Sequence, residues 1–462
     1  MTPQKVFLYL SIVLLTLGLL MFVFPKEGID LFGLKIKMPT FEEVFFQQKT
    51  EYADVEKIVQ KVSNQTPVSE SKSTEEDDIV SFVYSDEMEQ SLIELSLDFE
   101  QMEQGYGSVR ILHYGDSQIE ADRITGTLRN DMQKEYGGCG QGVIPMYSRS
   151  TISGVSYIYS QNWNFCSVLS PQKGLNRYGP CLSSIKAIDD STGANAWVEI
   201  SFTKRPRCGL NLYYSSPDKT SRIVVSSAGN QIADLAIEAT TDLQQISIEP
   251  NMLGNKLRIE CESGVELYCM DISENKGVLV DNVSLRGSSG WGIRGSNSTL
   301  LNRFLNDMDI DMIIMQFGVN AIPQEEDKVV EDYGFYKKEF AKQLQYLHRI
   351  APKALIVVIG VSDRSIRSGS SYVTNPNVLK LRQVQKEAAL ENACVFWDLF
   401  EAMGGNNSMP SWVLREEPLA NKDFIHFNNK GAEFVGKMFL KSLFKELEKR
   451  KAANNTTKIL SN

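Results

Sequence analysis

Histidine is scarce in this chain. His113, His348 and His426 are the only three in 462 residues, so any imidazole chemistry has few candidates. Seven cysteines are present, yet none forms a C-x-x-C pair, which excludes zinc-ribbon and thioredoxin-like readings. No cluster of His, Cys, Asp and Glu shows metal-ligand spacing, and neither a metal nor a cofactor is expected. Basic excess is lacking too. The 48 Lys and Arg against 58 Asp and Glu leave a net charge of −10, so nucleic acid is not an expected partner. With 42% hydrophobic and 23% charged residues, the composition excludes a mainly disordered chain.

What is present begins at the N-terminus. Val6–Phe24 is an uncharged apolar run of the length that crosses a bilayer as a helix. It ends in Val-Phe-Pro-Lys without an A-x-A-like cleavage pattern, so the expectation is an uncleaved anchor over 6–24 behind a cytoplasmic tail, 1–5. The Lys/Arg count of the flanks does not fix the orientation. A five-residue tail before a large domain favours N-in, C-out. Five cysteines between 166 and 269 agree, since one or two disulfides there would suit an oxidising compartment. The head is therefore expected in the periplasm or extracellular space, held to the inner, cytoplasmic membrane by one span.

Residues 25–87 read as a stalk, because 63–78 is polar and acidic. An α/β pattern opens at 88–150, with an apolar strand from Ser108 to Tyr114 and a helix from about Asp122 to Glu135. Short alternating runs over 151–283, from Trp197–Thr203 to Gly277–Asn282, predict a β-sandwich or jelly-roll insert. The α/β pattern returns at 284–449, where Ala354–Gly360 is a continuous apolar strand of parallel-sheet character. Residues 450–462 read as a frayed polar tail. The expected fold class is a doubly wound parallel α/β sheet interrupted by a β-domain, behind a transmembrane helix.

Chemistry is expected at the carboxyl edge of that sheet. Gly115-Asp116-Ser117 follows the first strand and can expose the Ser117 hydroxyl, which needs a base. Taken alone, Ser117 reads equally as an ordinary residue at a helix start. His426, three residues after Asp423 and just before the last helix, is the candidate base, with the carboxylate orienting its imidazole. His113 reads as a packed strand residue and His348 as a boundary residue. Asn320 follows the strand DMIIMQF, and Gly290 sits in a glycine-rich turn. With the Ser117 N–H, these offer oxyanion donors, although Asn320 also suits a helix cap.

Ser117, Gly290, Asn320 and the Asp423/His426 pair occur in the order of the SGNH (GDSL-like) hydrolase family, which this chain resembles over about 90–150 and 284–448. It is most similar to the peptidoglycan O-acetylesterase-like subgroup through RILHYGDSQIEAD, MIIMQFGVNA, and FWDLFEAMGGNNSMPSW before DFIHFNNKGAEFVG. The resemblance implies a flavodoxin-like three-layer fold and an insert like a carbohydrate-binding module. It also implies a serine esterase acting on an O-acetylated glycan, with Ser117 as nucleophile. An O-acetyltransferase using the same triad and a non-catalytic glycan-binding protein remain alternatives. Gln118, Val319 and Ala321 depart from the family pattern and bear on substrate preference. Other features read plainly: Gly137–Gly142 as a flexible turn, Gly404-Gly405 as a loop at the site rim, Asp122 as a helix cap, and Trp163 and Trp197 as sandwich core.

Overall fold

The computed structural model describes residues 2–25, 28–31, 34–36, 38–41, 50–63, 79–171, 176–324 and 328–460. Most of the polar stretch read as a linker, 64–78, lies outside them. Five strands form the α/β sheet: Ser108–Gly115, Gly277–Ser284, Met312–Gln316, Leu355–Ile359 and Val395–Trp397. All pairings are parallel, and the spatial order is second, first, third, fourth, fifth. This is the flavodoxin-like order, whose switch point falls between the first and third strands. MIIMQ and LIVVI are buried along their whole length, because helices cover both faces. One face packs on Glu89–Glu103, Thr125–Tyr136 and Asn429–Leu460, sharing Leu92, Leu128 and Phe439. The other packs on Ser298–Asp307, Gly334–Ile350 and Pro376–Leu390, sharing Phe304, Phe340 and Leu381.

The insert is a sandwich of two antiparallel sheets. One runs in the order Asn230–Ile237, Ser221–Ser227, Lys256–Cys261, Ala196–Phe202, Val155–Tyr159. The other runs Thr240–Ile248, Leu210–Ser216, Glu266–Ile272, Ser183–Ala187, Trp163–Ser167. Inward residues alternate along AWVEISF and SRIVVSS, and Val198, Ile200, Leu212, Ile223, Ile259 and Leu267 meet between the sheets. Trp163 is core and donates its indole N–H to the Trp197 carbonyl at 2.9 Å. Trp197 itself is half-buried, its ring 4.2 Å beneath the Arg258 guanidinium.

Several segment readings change. Gly277–Asn282, expected as the last sandwich strand, is the edge strand of the parallel sheet, in eight-residue register with Ser108–Gly115. Its β-branched apolar run suits either sheet, so pattern alone could not assign it. Conversely, Gly142–Pro145, expected in the α/β part, pairs with Glu266–Ile272 of the sandwich.

The supposed stalk is partly docked. Glu56–Ser63 is a helix whose Val59 and Val62, with Val55 before it, enter the α/β core. The Ser411 hydroxyl donates to the Ala53 carbonyl, and the Asn407 amide donates to that of Glu51. Gly404, expected at the site rim, lies under this segment instead: a Cβ there would meet Val55 at 3.2 Å. The expected frayed tail continues the last helix to Leu460, and Arg450 is buried against Glu446 and Glu89.

A disulfide joins Cys139 to Cys208, so the bond reaches outside the cysteine-rich stretch that was expected to hold it. It staples the glycine-rich turn to the insert. That turn is packed tightly, for a Cβ on Gly140 would stand 1.9 Å from the Ile272 carbonyl oxygen. The remaining five cysteines are free thiols, all buried.

A buried cluster locks the two domains together. Arg110, in the first strand, binds Asp271 of the sandwich at 2.9 Å and Asp281 of the neighbouring strand at 2.8 Å. Asp281 also accepts the Val143 N–H at 2.9 Å. Five charge-assisted hydrogen bonds thus satisfy three groups that would otherwise be costly to bury. At the other end, Pro3–Val23 is a 21-residue helix with no buried residue, Lys5 in its first turn and no charge after it.

Candidate active site

The first and third strands end side by side, where the switch point opens the sheet edge. The chain leaves the first strand through Asp116 into a short helical segment, Ser117–Asp122. Asp116 caps it, its carboxylate accepting the Gln118 N–H at 3.0 Å and the Gly318 N–H. Burial pushes the Asp116 carboxyl up to about 7 against these hydrogen bonds. Ser117 thereby faces the edge of the sheet with 7% of its surface exposed.

His426 arrives from the loop before the last helix. Its Nε2 lies 2.8 Å from Ser117 Oγ, and its Nδ1 lies 2.8 Å from Asp423 Oδ2. Asp423 accepts, through its other oxygen, the backbone N–H groups of Ile425 at 2.9 Å and His426 at 3.0 Å. Partial burial works against its charge. The His426 ring and these two N–H groups outweigh it and bring the carboxyl down to about 2. Phe424, between the pair, adopts a φ of 56°, a rare conformation for an aromatic residue. Stacking on Tyr372, with ring centroids 3.7 Å apart, and the Ser365 N–H donated to its carbonyl hold it there.

The other two candidates meet at Ser288. The Gly290 N–H donates to Ser288 Oγ at 3.1 Å, and the Asn320 amide donates to the Ser288 carbonyl at 3.1 Å. Gly290 has φ +91°, and a Cβ there would press on Phe317 and Phe340 at 3.1 Å, so a side chain fits neither the backbone nor the space. Ser284, just upstream, donates its hydroxyl to the Asp116 carbonyl at 3.1 Å. Both turns are thus tied to the segment that carries Ser117.

Two residues that the sequence did not assign to the site hold its halves together. Gln118 is buried; its Nε2 donates to the Ile425 carbonyl at 2.8 Å and its Oε1 accepts the Phe427 N–H at 3.3 Å. Arg123 donates to the carbonyls of Ser117 and Phe427. Both clamp the His426 loop to the Ser117 segment. The sole signal was proximity to Ser117, and Gln118 had been read as a matter of substrate preference. Asp122, expected as a cap, ion-pairs with Arg129 at φ +65°. His113 is fully buried between Gln316 and Thr125, and burial lowers its pKa to about 3. His348 bonds the Asn392 carbonyl at 2.9 Å, far from this chemistry along the fold.

Residues 268–434 match the model of the GDSL-like Lipase/Acylhydrolase family. The match spans Gly290, Asn320, Asp423 and His426, while Ser117 lies upstream of the sandwich that splits the hydrolase domain. A solved peptidoglycan O-acetylesterase is similar in fold, with a TM-score of 0.61 and 19% identity over 78% of this chain and 96% of that one. An acetyl xylan esterase aligns at a TM-score of 0.27 with 14% identity, covering 36% of this chain and 81% of that one. A carbohydrate-binding module from a Cellvibrio mixtus lichenase aligns at 0.18 with 15% identity, covering 29% and 97%. No curated protein matches the chain.

Proposed function

We propose that this GDSL-like hydrolase is a membrane-anchored serine esterase that removes O-acetyl groups from peptidoglycan or a related polysaccharide. The observation that carries the reading is the unbroken line from Ser117 Oγ through the His426 ring to the Asp423 carboxylate, with 2.8 Å at each step. His426 Nε2 takes the Ser117 proton as Oγ attacks the ester carbonyl. Asp423, held ionised, stabilises the imidazolium and fixes the tautomer. His426 then protonates the departing sugar alcohol. Water attacks the acetyl-enzyme with His426 again as base.

The Ser117 N–H, the Gly290 N–H and the Asn320 amide are the oxyanion donors in this reading. Two of them rest on Ser288 in the free protein, so oxyanion binding redirects hydrogen bonds already made. Acetylated glycan as substrate is supported by the peptidoglycan O-acetylesterase of similar fold. Anchoring is supported by the 21-residue apolar helix, about 31 Å long at 1.5 Å per residue. In this reading the hydrolase stands on the outer side of the cytoplasmic membrane.

The test is acetate release by the full chain in detergent from p-nitrophenyl acetate and from O-acetylated peptidoglycan. Wild-type hydrolysis that both Ser117→Ala and His426→Ala lose supports the mechanism, and turnover of peptidoglycan names the substrate. A folded wild type inactive on both, without or with an acceptor sugar, overturns it.

A further inference from the structure

An open groove of about 1250 Å³ runs between the sandwich and the hydrolase domain. Its floor is rigid: the Cys139–Cys208 disulfide and the packed Gly140 lie along it. Lys204, Arg205 and Arg207 line one wall, three exposed cations within four residues on a chain of net charge −10. Among the described residues, none of the three has a carboxylate within ion-pair distance. Arg205 is held over the groove by donating to the Pro250 and Asn251 carbonyls at 3.1 and 3.4 Å. The lining also holds Arg129, paired with Asp122, and the amides of Asn130 and Gln141. Glu274, within 4.8 Å of the disulfide sulfurs, is one acid against these three cations.

The groove also adjoins the segment that carries Ser117. A smaller cleft shares Asp122, Gln141 and Ser153 with it and continues to Ser284 and Leu285. Ser284 touches the Asp116 carbonyl, beside Ser117.

We propose that this groove binds an acidic stretch of the substrate glycan, through carboxylate or phosphate groups on the polymer, while the acetylated residue lies at Ser117. The proposal rests on the esterase reading for its substrate and deepens it. Unpaired guanidinium and ammonium groups at a dielectric boundary attract anions, and Arg recognises carboxylate or phosphate through a planar fork. A concave groove fits a polymer chain better than the flat face of a bilayer.

The test measures binding, so it does not depend on turnover. The full chain, in nanodiscs of neutral lipid, is titrated with polygalacturonate, with phosphomannan and with neutral dextran. Acidic polymer is expected to bind in a salt-sensitive way, and dextran not to bind. The triple variant Lys204→Gln, Arg205→Gln, Arg207→Gln should bind roughly tenfold more weakly with an unchanged unfolding midpoint. Ser117→Ala should bind as wild type, which separates this site from the esterase chemistry. Binding of one acidic glycan alone names the anion, and binding of both shows that charge is read. Equal binding by dextran, full binding by the triple variant, or binding of anionic-lipid vesicles but of neither acidic glycan overturns the proposal.

Discussion

Replacing Gln118 by Leu removes the two hydrogen bonds that bracket His426 without touching the triad. The side chain is 2% exposed, and its amide alone pairs with the Ile425 carbonyl and the Phe427 N–H. Each backbone group left unpaired costs about 1–3 kcal/mol, so two give roughly 2–6 kcal/mol if the loop stays in place. Asp423 at the loop's outer end is 45% exposed, so the loop can relax toward solvent and recover part of that cost. Relaxation draws His426 Nε2 away from Ser117. A displacement of about 1 Å in a catalytic pair costs on the order of 100-fold in rate. Gln118→Leu is therefore expected to lower kcat on p-nitrophenyl acetate about 100-fold with KM little changed. Gln118→Glu keeps an acceptor for Phe427 and loses the donor to Ile425, and should fall between. Steady-state kinetics beside thermal unfolding decide the matter. A folded Leu variant whose kcat stays within about threefold of wild type refutes the clamp.

Arg110→Met leaves Asp271 and Asp281 buried without their cation and should cost about 3–5 kcal/mol, read as a lower urea midpoint; an unchanged midpoint would contradict the locking role. Asp116 ionises near 3.8 when unfolded and near 7 when folded, so its ionisation withdraws stability as pH climbs between those values. Asp116→Asn, always neutral, should therefore gain stability relative to wild type at pH 8 compared with pH 5, and a pH-independent difference in urea unfolding would disprove the assignment. A head beginning at residue 80 loses the packing of Val55, Val59 and Val62, and should be less stable than one beginning at 50 by on the order of 3 kcal/mol. Coincident unfolding curves for the two would show that the docked helix contributes nothing.

Much of the hydrolase domain was legible because its elements are locally consistent. The runs that became Met312–Gln316 and Leu355–Ile359 are apolar over their whole length, and the helix Gly334–Ile350 has one clear stripe. With only three histidines, and one of them three residues after an Asp, the Ser117–His426–Asp423 line could be written before any geometry was known. What stayed hidden depends on contacts between distant segments. Nothing near Val55 signals that residues from Met403 to Ser411 will cover it. Arg110 in an apolar strand gives no hint of Asp271, 161 positions away. Gln118 showed itself only as an unusual neighbour of a serine, because its partners belong to a loop 307 positions downstream. The edge strand Gly277–Ser284 was misassigned for the same reason: pairing, rather than local pattern, decides its sheet.

The place of the sandwich within the first crossover has a consequence for biosynthesis. Ser108–Gly115 must lie between Gly277–Ser284 and Met312–Gln316, both of which are translated more than 160 residues later. At 5–20 residues per second, the strand carrying the Ser117 loop waits roughly 8–32 s beside the ribosome or translocon before its first neighbour exists. During that wait the sandwich can form most of its own pairings, and Gly142–Pro145 can join them. The parallel sheet is therefore assembled last around its oldest strand, with loop closure over the whole insert as the slow step. A nascent chain stalled before residue 277 should expose that strand to chaperones, and release past 316 should bury it.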